Sequence, residues 1–215
     1  KGNVVNPFAA MDKYGADTLR WYLLTVSPPW LPTRFDPEGM NEVNRKFFGT
    51  LVNTYNFFIM YAEIDKFEYK EHERIPVGER SEIDRWICSS LHSLTQKVTA
   101  LLEVYDLTKA GRAIAGFVID DLSNWYVRRS RRRFWKSEMG EDKQGAFQTL
   151  YECLITVSAI MAPIAPFISE AVYKNLTAGQ DNVSDSVHLC GYPRAGSGFV
   201  DYHDDTLEER MNLVR

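Results

Sequence analysis

The residues with the most chemical potential lie in one run, Asp120-Asp121-Leu122-Ser123-Asn124-Trp125-Tyr126-Val127-Arg128-Arg129-Ser130-Arg131-Arg132-Arg133-Phe134-Trp135-Lys136. Five arginines and one lysine fall within its last nine residues. At about 100° per residue on a helix, Arg128, Arg129, Arg132, Arg133 and Lys136 share one broad arc. Val127, Ser130 and Phe134 fall on the other side, and Arg131 lies near the border. Such a helix can dock its apolar side and present guanidinium groups outward. The planar guanidinium fork matches phosphate oxygens, and clustered cations are drawn to a phosphate backbone most strongly at low salt. Trp125, Tyr126 or Trp135 could stack on an unpaired base. The same pattern also fits a solvated basic face balanced by Asp121, Glu138, Glu141 and Asp142, with arginine stems covering apolar surface. Tryptophans at helical spacing equally fit core positions.

Other candidates for chemistry are poor. His72, His92, His188 and His203 have no partners at metal-ligand spacing. His188 and Cys190 would share one face of a strand, but two ligands do not make a zinc site. Cys88, Cys153 and Cys190 are too widely spaced for a zinc cage or a disulfide framework. Ser89, Ser90 and Ser93 show no accompanying base and orienting group. Asp120 and Asp121 beside Arg128 suit salt bridges better than acid–base work. No glycine-rich phosphate loop is present.

The elements that must carry the basic run are helical. Asn6-Pro7-Phe8 reads as a cap followed by proline in the first turn. A helix is expected from Asp12 to Leu24, with Gly15 marking a break, and Ser27-Pro28-Pro29-Trp30 cannot continue it. Asp36 is expected to cap a helix starting at Pro37. Met40, Val43, Phe47, Thr50, Thr54, Phe57, Tyr61 and Ile64 recur at three- and four-residue steps, the spacing of one helical face. After a polar loop from Glu68 to Glu82 comes Ile83, Ile87, Leu91, Leu94, Val98, Leu101 and Tyr105, with Ser81 as its expected cap. A third helix runs from Asp106 toward Lys136, where Gly111 and Gly116 could permit close packing. In the fourth, Phe147, Leu150, Leu154, Val157, Met161, Ile164 and Ile168 form the stripe. Pro163 and Pro166 should break it and leave carbonyls unpaired. Four one-sided helices must bury their stripes against one another, which predicts an all-α bundle. Ser186 to Tyr192 is the one segment read as extended, Gly191 to Gly198 as a linker, and Thr206 to Arg215 as a helix.

The 215 residues are 45% hydrophobic and 25% charged, which suits a protein that buries a core and argues against wholesale disorder. Apolar stretches end well short of the roughly 20 residues of a membrane span, so no membrane role is expected. The net charge of -4 excludes coating of nucleic acid by bulk charge. Residues 181–215 hold seven acids and three bases and account for all of that charge. A start at Lys1-Gly2-Asn3, without methionine or signal peptide, is read as a piece of a longer protein, with a cleaved leader as the alternative.

Several stretches together resemble a known family. Lys1 to Phe8, Lys13-Tyr14-Gly15-Ala16-Asp17-Thr18-Leu19-Arg20-Trp21-Tyr22-Leu23 and Met161-Ala162-Pro163-Ile164-Ala165-Pro166-Phe167-Ile168-Ser169-Glu170 look like class I aminoacyl-tRNA synthetases of the valine, leucine, isoleucine and methionine subgroup. Ser186-Val187-His188-Leu189 resembles their exit strand. Ser27-Pro28-Pro29-Trp30, Asn53-Thr54-Tyr55-Asn56-Phe57-Phe58 and the arginine-rich run look most like the isoleucyl-tRNA synthetases. The resemblance is dense to about residue 193 and thinner afterward.

It implies an anticodon-binding helical bundle at 36–180, preceded by a short helical junction at 1–35 that follows the signature loop. An exit strand, linker and the start of a C-terminal region would occupy 181–215. It implies tRNA(Ile), through its anticodon stem-loop, as the partner. Arg128, Arg129, Arg132, Arg133 and Lys136 would meet phosphates, and Trp125 and Trp135 would stack or hold the helix. The full enzyme would join isoleucine to tRNA(Ile) using ATP and Mg, with catalytic and editing domains upstream in cis and possible Zn in a C-terminal region. This segment would bear no catalytic, cofactor or metal residue, and Lys1 is not assigned to ATP. A cytoplasmic monomer is implied. The alternatives are a helical protein–protein interaction module and the equivalent segment of a valyl-tRNA synthetase.

Overall fold

The computed structural model describes residues 5–136, 138–181 and 183–214; Lys1 to Val4 of the opening motif and Arg215 lie outside them. Among the described residues there are helices and turns and no strand. The bundle is therefore all-α, as the spacing of apolar residues predicts.

The N-terminal helices begin and end where their residues dictate. Asn6 accepts from the Phe8 amide ahead of α1 (Pro7–Tyr14). Gly15 then takes a φ of 86°, which an L side chain rarely adopts, and separates α1 from α2 (Ala16–Thr25). Asp36 accepts from the Glu38 and Gly39 amides and caps α3 (Pro37–Glu42). A π-helical segment (Val43–Phe48) and α4 (Gly49–Asp65) continue the same rod. Each π turn holds an extra residue, so it rotates the helix beyond it. The buried set there becomes Phe47, Phe48, Leu51, Thr54 and Phe58, while Ile64, expected inside, is exposed.

The next rod is α5 (Glu82–Glu103), buried through Ile87, Leu91, Leu94 and Val98. Tyr105, the last residue of its expected stripe, lies in the turn at a φ of 59° and faces solvent. Ser81 stands at the N-cap of α5 as expected, but its hydroxyl donates to Asp84 and accepts from no helix amide. Asp106 caps α6 (Leu107–Gly116), which passes through a second π segment (Phe117–Val127) into α7 (Arg128–Trp135). The centre of the bundle is α8 (Glu141–Met161), buried on nearly all sides. After a break at 162–165 come α9 (Pro166–Leu176) and, at the end, α10 (Asp205–Val214). No helix among the described residues is long and apolar enough to cross a membrane.

Two glycines of the third rod differ. A Cβ on Gly111 would sit 2.5 Å from the Thr25 methyl of α2, whereas one on Gly116 would meet nothing within 4 Å. Close packing thus explains Gly111 only. Thr25 is β-branched and its hydroxyl is bonded to the Trp21 carbonyl at 2.7 Å, so it cannot swing aside. Gly111→Ala should lower stability by about 1 kcal/mol, because overpacking at 1–3 kcal/mol exceeds the helix-propensity gain. Gly116→Ala should raise it by about 0.5–1 kcal/mol. Urea melts of both variants check the pair; shifts of the same sign would refute it.

The proline break is capped from far away in sequence. Arg20 on α2 donates from Nε to the Ile164 carbonyl at 2.9 Å and from Nη2 to the Pro163 carbonyl at 3.0 Å. Three residues earlier, Asp17 accepts from the Ile168 amide at 2.7 Å and the Phe167 amide at 3.3 Å, serving as the cap of α9. One helix therefore supplies acceptors and donors to both loose ends that the prolines create. In return, Thr108 and Arg112 of α6 donate to the carbonyls of Leu24, Thr25 and Val26 at the end of α2. Trp21 of α2 lies in the main core, stacked on Phe47 at 4.1 Å.

The tail corrects one expectation. Ser186 to Tyr192 is not a strand but a 3-10 turn (Val187–Leu189), since no second strand lies beside it to share backbone bonds. Ser186 caps the His188 amide, and Glu170 accepts from the Ser186 hydroxyl and the Val187 amide. Burial opposes the Glu170 charge, but those bonds and Lys174 hold its pKa below the usual range. The stretch read as a linker leads into a turn (Gly198–Val200) whose Val200 is buried and whose carbonyl meets His92 Nδ1 at 2.8 Å.

Candidate nucleic-acid interface

Phe134 anchors the arginine-rich helix. Its ring packs edge-on against Phe57 of α4 at 5.1 Å and against Phe147 of α8 at 4.9 Å. Ser130 and Val127 are buried beside it. With that side fixed, α7 turns Arg128, Arg129, Arg131 and Arg132 to solvent. Arg131, at the border of the wheel, joins the exposed set. None of these four has an ion-pair partner among the described residues. Lys136 is exposed too, although Asp142 lies 3.6 Å from its ammonium.

Arg133 is a correction. Expected on the outer arc, it turns inward with 13% of its side chain exposed. Its two terminal nitrogens donate to both carboxylate oxygens of Asp84, at 2.7 and 2.6 Å, and its Nε faces Asp142 at 2.9 Å. Burial works against its charge, but the bonds to Asp84 more than compensate and hold its pKa above the ordinary value. Asp84, wholly buried on α5, also accepts from Tyr126 at 2.7 Å and from Ser81 at 2.8 Å. On the helical wheel Arg133 sits at the edge of the arc, so a carboxylate across the seam decides which way it points.

The two tryptophans separate. Trp135 is 57% exposed at the end of α7, beside the free arginines. Trp125 is partly buried, and the Arg129 guanidinium covers its ring at 4.8 Å. Trp125 and Arg129 therefore act as one flat unit with a cationic outer layer.

A second charged assembly has no counterpart among the sequence expectations. Glu152, on the apolar-looking α8, is fully buried and receives Arg80 at 2.9 and 2.7 Å and Arg74 at 3.0 Å. Arg80 further donates to Thr149 and to the Ile75 carbonyl, both at 3.0 Å. Arg74 reaches Asp201 of the tail at 3.3 Å. These groups pin the polar 68–82 loop and the tail to the core; they are structural. Their signal in the sequence is weak: one glutamate inside an apolar stripe, with two arginines in the preceding loop. Cys88 and Cys153 are buried, which pushes both thiols up and away from nucleophilic use. Among the described residues no group of histidine, cysteine, aspartate and glutamate could hold a metal ion.

Known proteins share this architecture. The family model for the anticodon-binding domain of tRNA ligase matches residues 84–215. The chain is 51% identical over its full length to an isoleucine–tRNA ligase of Cytophaga hutchinsonii, covering 19% of that protein. It is 51% identical to that of Bacteroides thetaiotaomicron, over 99% of the chain and 18% of the relative. The Porphyromonas gingivalis isoleucine–tRNA ligase is 52% identical over all of the chain and 18% of its own length. The chain thus spans about a fifth of these curated relatives. Among solved structures, LeuRS of Agrobacterium radiobacter K84, in a ternary complex with tRNA and LeuAMS, superposes over 93% of this chain and 22% of its own, with a TM-score of 0.63 at 21% identity. The bundle, the residues matched and the relatives agree, and the chain belongs to the anticodon-binding domain family of tRNA ligases.

Proposed function

We propose that this chain is the tRNA-gripping part of an isoleucine–tRNA ligase and that it holds the anticodon stem-loop of tRNA(Ile). One observation carries the reading. On an acidic chain, α7 presents Arg128, Arg129, Arg131 and Arg132 to solvent without carboxylate partners among the described residues, on a helix fixed by Phe134. Guanidinium groups left open in this way fit the phosphates of an RNA backbone. Similarity to three isoleucine–tRNA ligases supports isoleucine over valine. In this reading the segment binds and positions tRNA, and the ATP-dependent joining of isoleucine belongs to the whole ligase. The protein acts in the cytoplasm as a monomer.

The test is a fluorescence titration with tRNA(Ile) across a salt series. Replacing Arg128, Arg129, Arg132 and Lys136 together by glutamine should weaken binding at least about tenfold at low salt. The slope of log affinity against log salt should fall by roughly 3, at about 0.7 for each phosphate no longer neutralised. Stability should stay within about 0.5 kcal/mol, because these are surface positions. Unchanged affinity in the folded variant would sink this surface. Isoleucine-dependent ATP–pyrophosphate exchange by this chain would overturn the division of labour.

A further inference from the structure

A groove of about 380 Å³ opens where the first turn of α5, the end of the second π segment and α10 meet. Ile83 and Met211 give it apolar surface, and Trp125 with Arg129 gives it a flat one. Glu82 and Arg210, both at least half exposed, pair with each other beside it. That volume falls in the lower part of the range of small-ligand pockets, roughly 300–1,000 Å³. The groove also adjoins the free cations, since Arg129 belongs to both.

We infer that this groove receives one unpaired nucleobase of an RNA whose phosphates lie along α7. The inference rests on the tRNA reading above and deepens it. A base needs a partner for its face and a partner for its edge. The Trp125–Arg129 stack offers the face, because aromatic rings and guanidinium planes both stack on bases. Met211 and Ile83 cover the remaining apolar surface. At the edge, the Glu82 carboxylate accepts from an exocyclic amino group, which adenine, cytosine and guanine carry and uracil lacks. The exposed Glu82–Arg210 pair opens at little cost, and Arg210 then turns to a neighbouring phosphate. An apolar protein helix fits less well, because it would cover the Arg129 guanidinium without giving it an acceptor.

The experiment uses the 215-residue chain with two RNAs: the anticodon stem-loop of tRNA(Ile), and the same stem as a duplex without a loop. Met211→Trp fills the groove, and Glu82→Gln, an exposed substitution that spares folding, alters the edge partner. Met211→Trp should weaken stem-loop binding by about 10- to 100-fold, the value of one stacked base, and leave duplex binding unchanged. Glu82→Gln should reduce the preference for an amino-bearing base over uracil at one loop position, because glutamine keeps one acceptor oxygen but adds an amide donor that a uracil carbonyl can accept. Unchanged stem-loop binding in folded Met211→Trp, or equal weakening for both RNAs, overturns the groove while the tRNA reading stands. A chain that binds neither RNA at low salt overturns the tRNA reading, and the groove with it.

Discussion

Glu152→Gln should cost the fold about 3–5 kcal/mol, the typical penalty for breaking a buried ion pair from one side. Arg80 is fully buried and loses its carboxylate partner, and Arg74, mostly buried, keeps only Asp201. Glutamine keeps the size and one acceptor oxygen but has no charge to offer two guanidinium groups. The effect should spread, because Arg74 also holds Asp201 and Gln148 of α8 bonds the Ile75 amide of the same loop at 2.9 Å. Loop and tail should therefore loosen together. Urea denaturation followed by tryptophan fluorescence measures the loss, and a change below about 1 kcal/mol would refute the assignment. Replacing Arg74, Arg80 and Glu152 together by apolar residues of similar volume should restore much of the stability, since the penalty comes from unpaired charge.

Asp84→Ala should cost a similar amount, about 3–5 kcal/mol, for the same reason. It takes from the Arg133 guanidinium the carboxylate that holds both terminal nitrogens, leaving it the half-exposed Asp142, and it removes the shorter of two bonds of the buried Tyr126 hydroxyl, leaving the Ala146 carbonyl at 3.3 Å. The result carries a functional distinction. Arg133 belongs to the core and Arg128 to the surface, although five residues separate them on one helix. Arg133→Met should destabilise the protein and leave the tRNA affinity of the folded molecules unchanged. A double-mutant cycle with Asp84→Leu should show coupling of more than about 1 kcal/mol. Additive effects would mean that the pair is not the unit described, and weaker tRNA binding by folded Arg133→Met would return Arg133 to the interface.

Much of the architecture is legible in the sequence because it is set by local chemistry. Asn6-Pro7, Gly15, Asp36-Pro37 and Pro163 to Pro166 each act on backbone within a few residues, and each marks an observed helix boundary. Periodicity locates the stripes of α5 and α8. It fails after the first π segment, because a fixed 100° step does not hold through wide turns, and Ile64 is misplaced for that reason. Extended character in Ser186 to Tyr192 needs a neighbouring strand that the fold does not supply. At the candidate interface, the basic helix is visible from charge and spacing alone. Arg133 is not separable from its neighbours, because its partner is 49 residues away on α5. Glu152 stays hidden on the same ground, since Arg74 and Arg80 reach it from 78 and 72 residues away.

The capping of the proline break by α2 has a consequence for how the molecule opens. The amides of Phe167 and Ile168 are closed by a carboxylate about 150 residues away. Ordinary fraying at a helix start involves one turn, yet here the first turn of α9 is freed only when α2 detaches. Hydrogen exchange at those two amides should thus report the undocking of the N-terminal helices, and exchange there should slow or quicken in step with α2. Such long closures also form late, because the loop between the partners must be ordered first. The proline break is then among the last parts of the chain to become native and a sensitive gauge of whether the first thirty residues are seated.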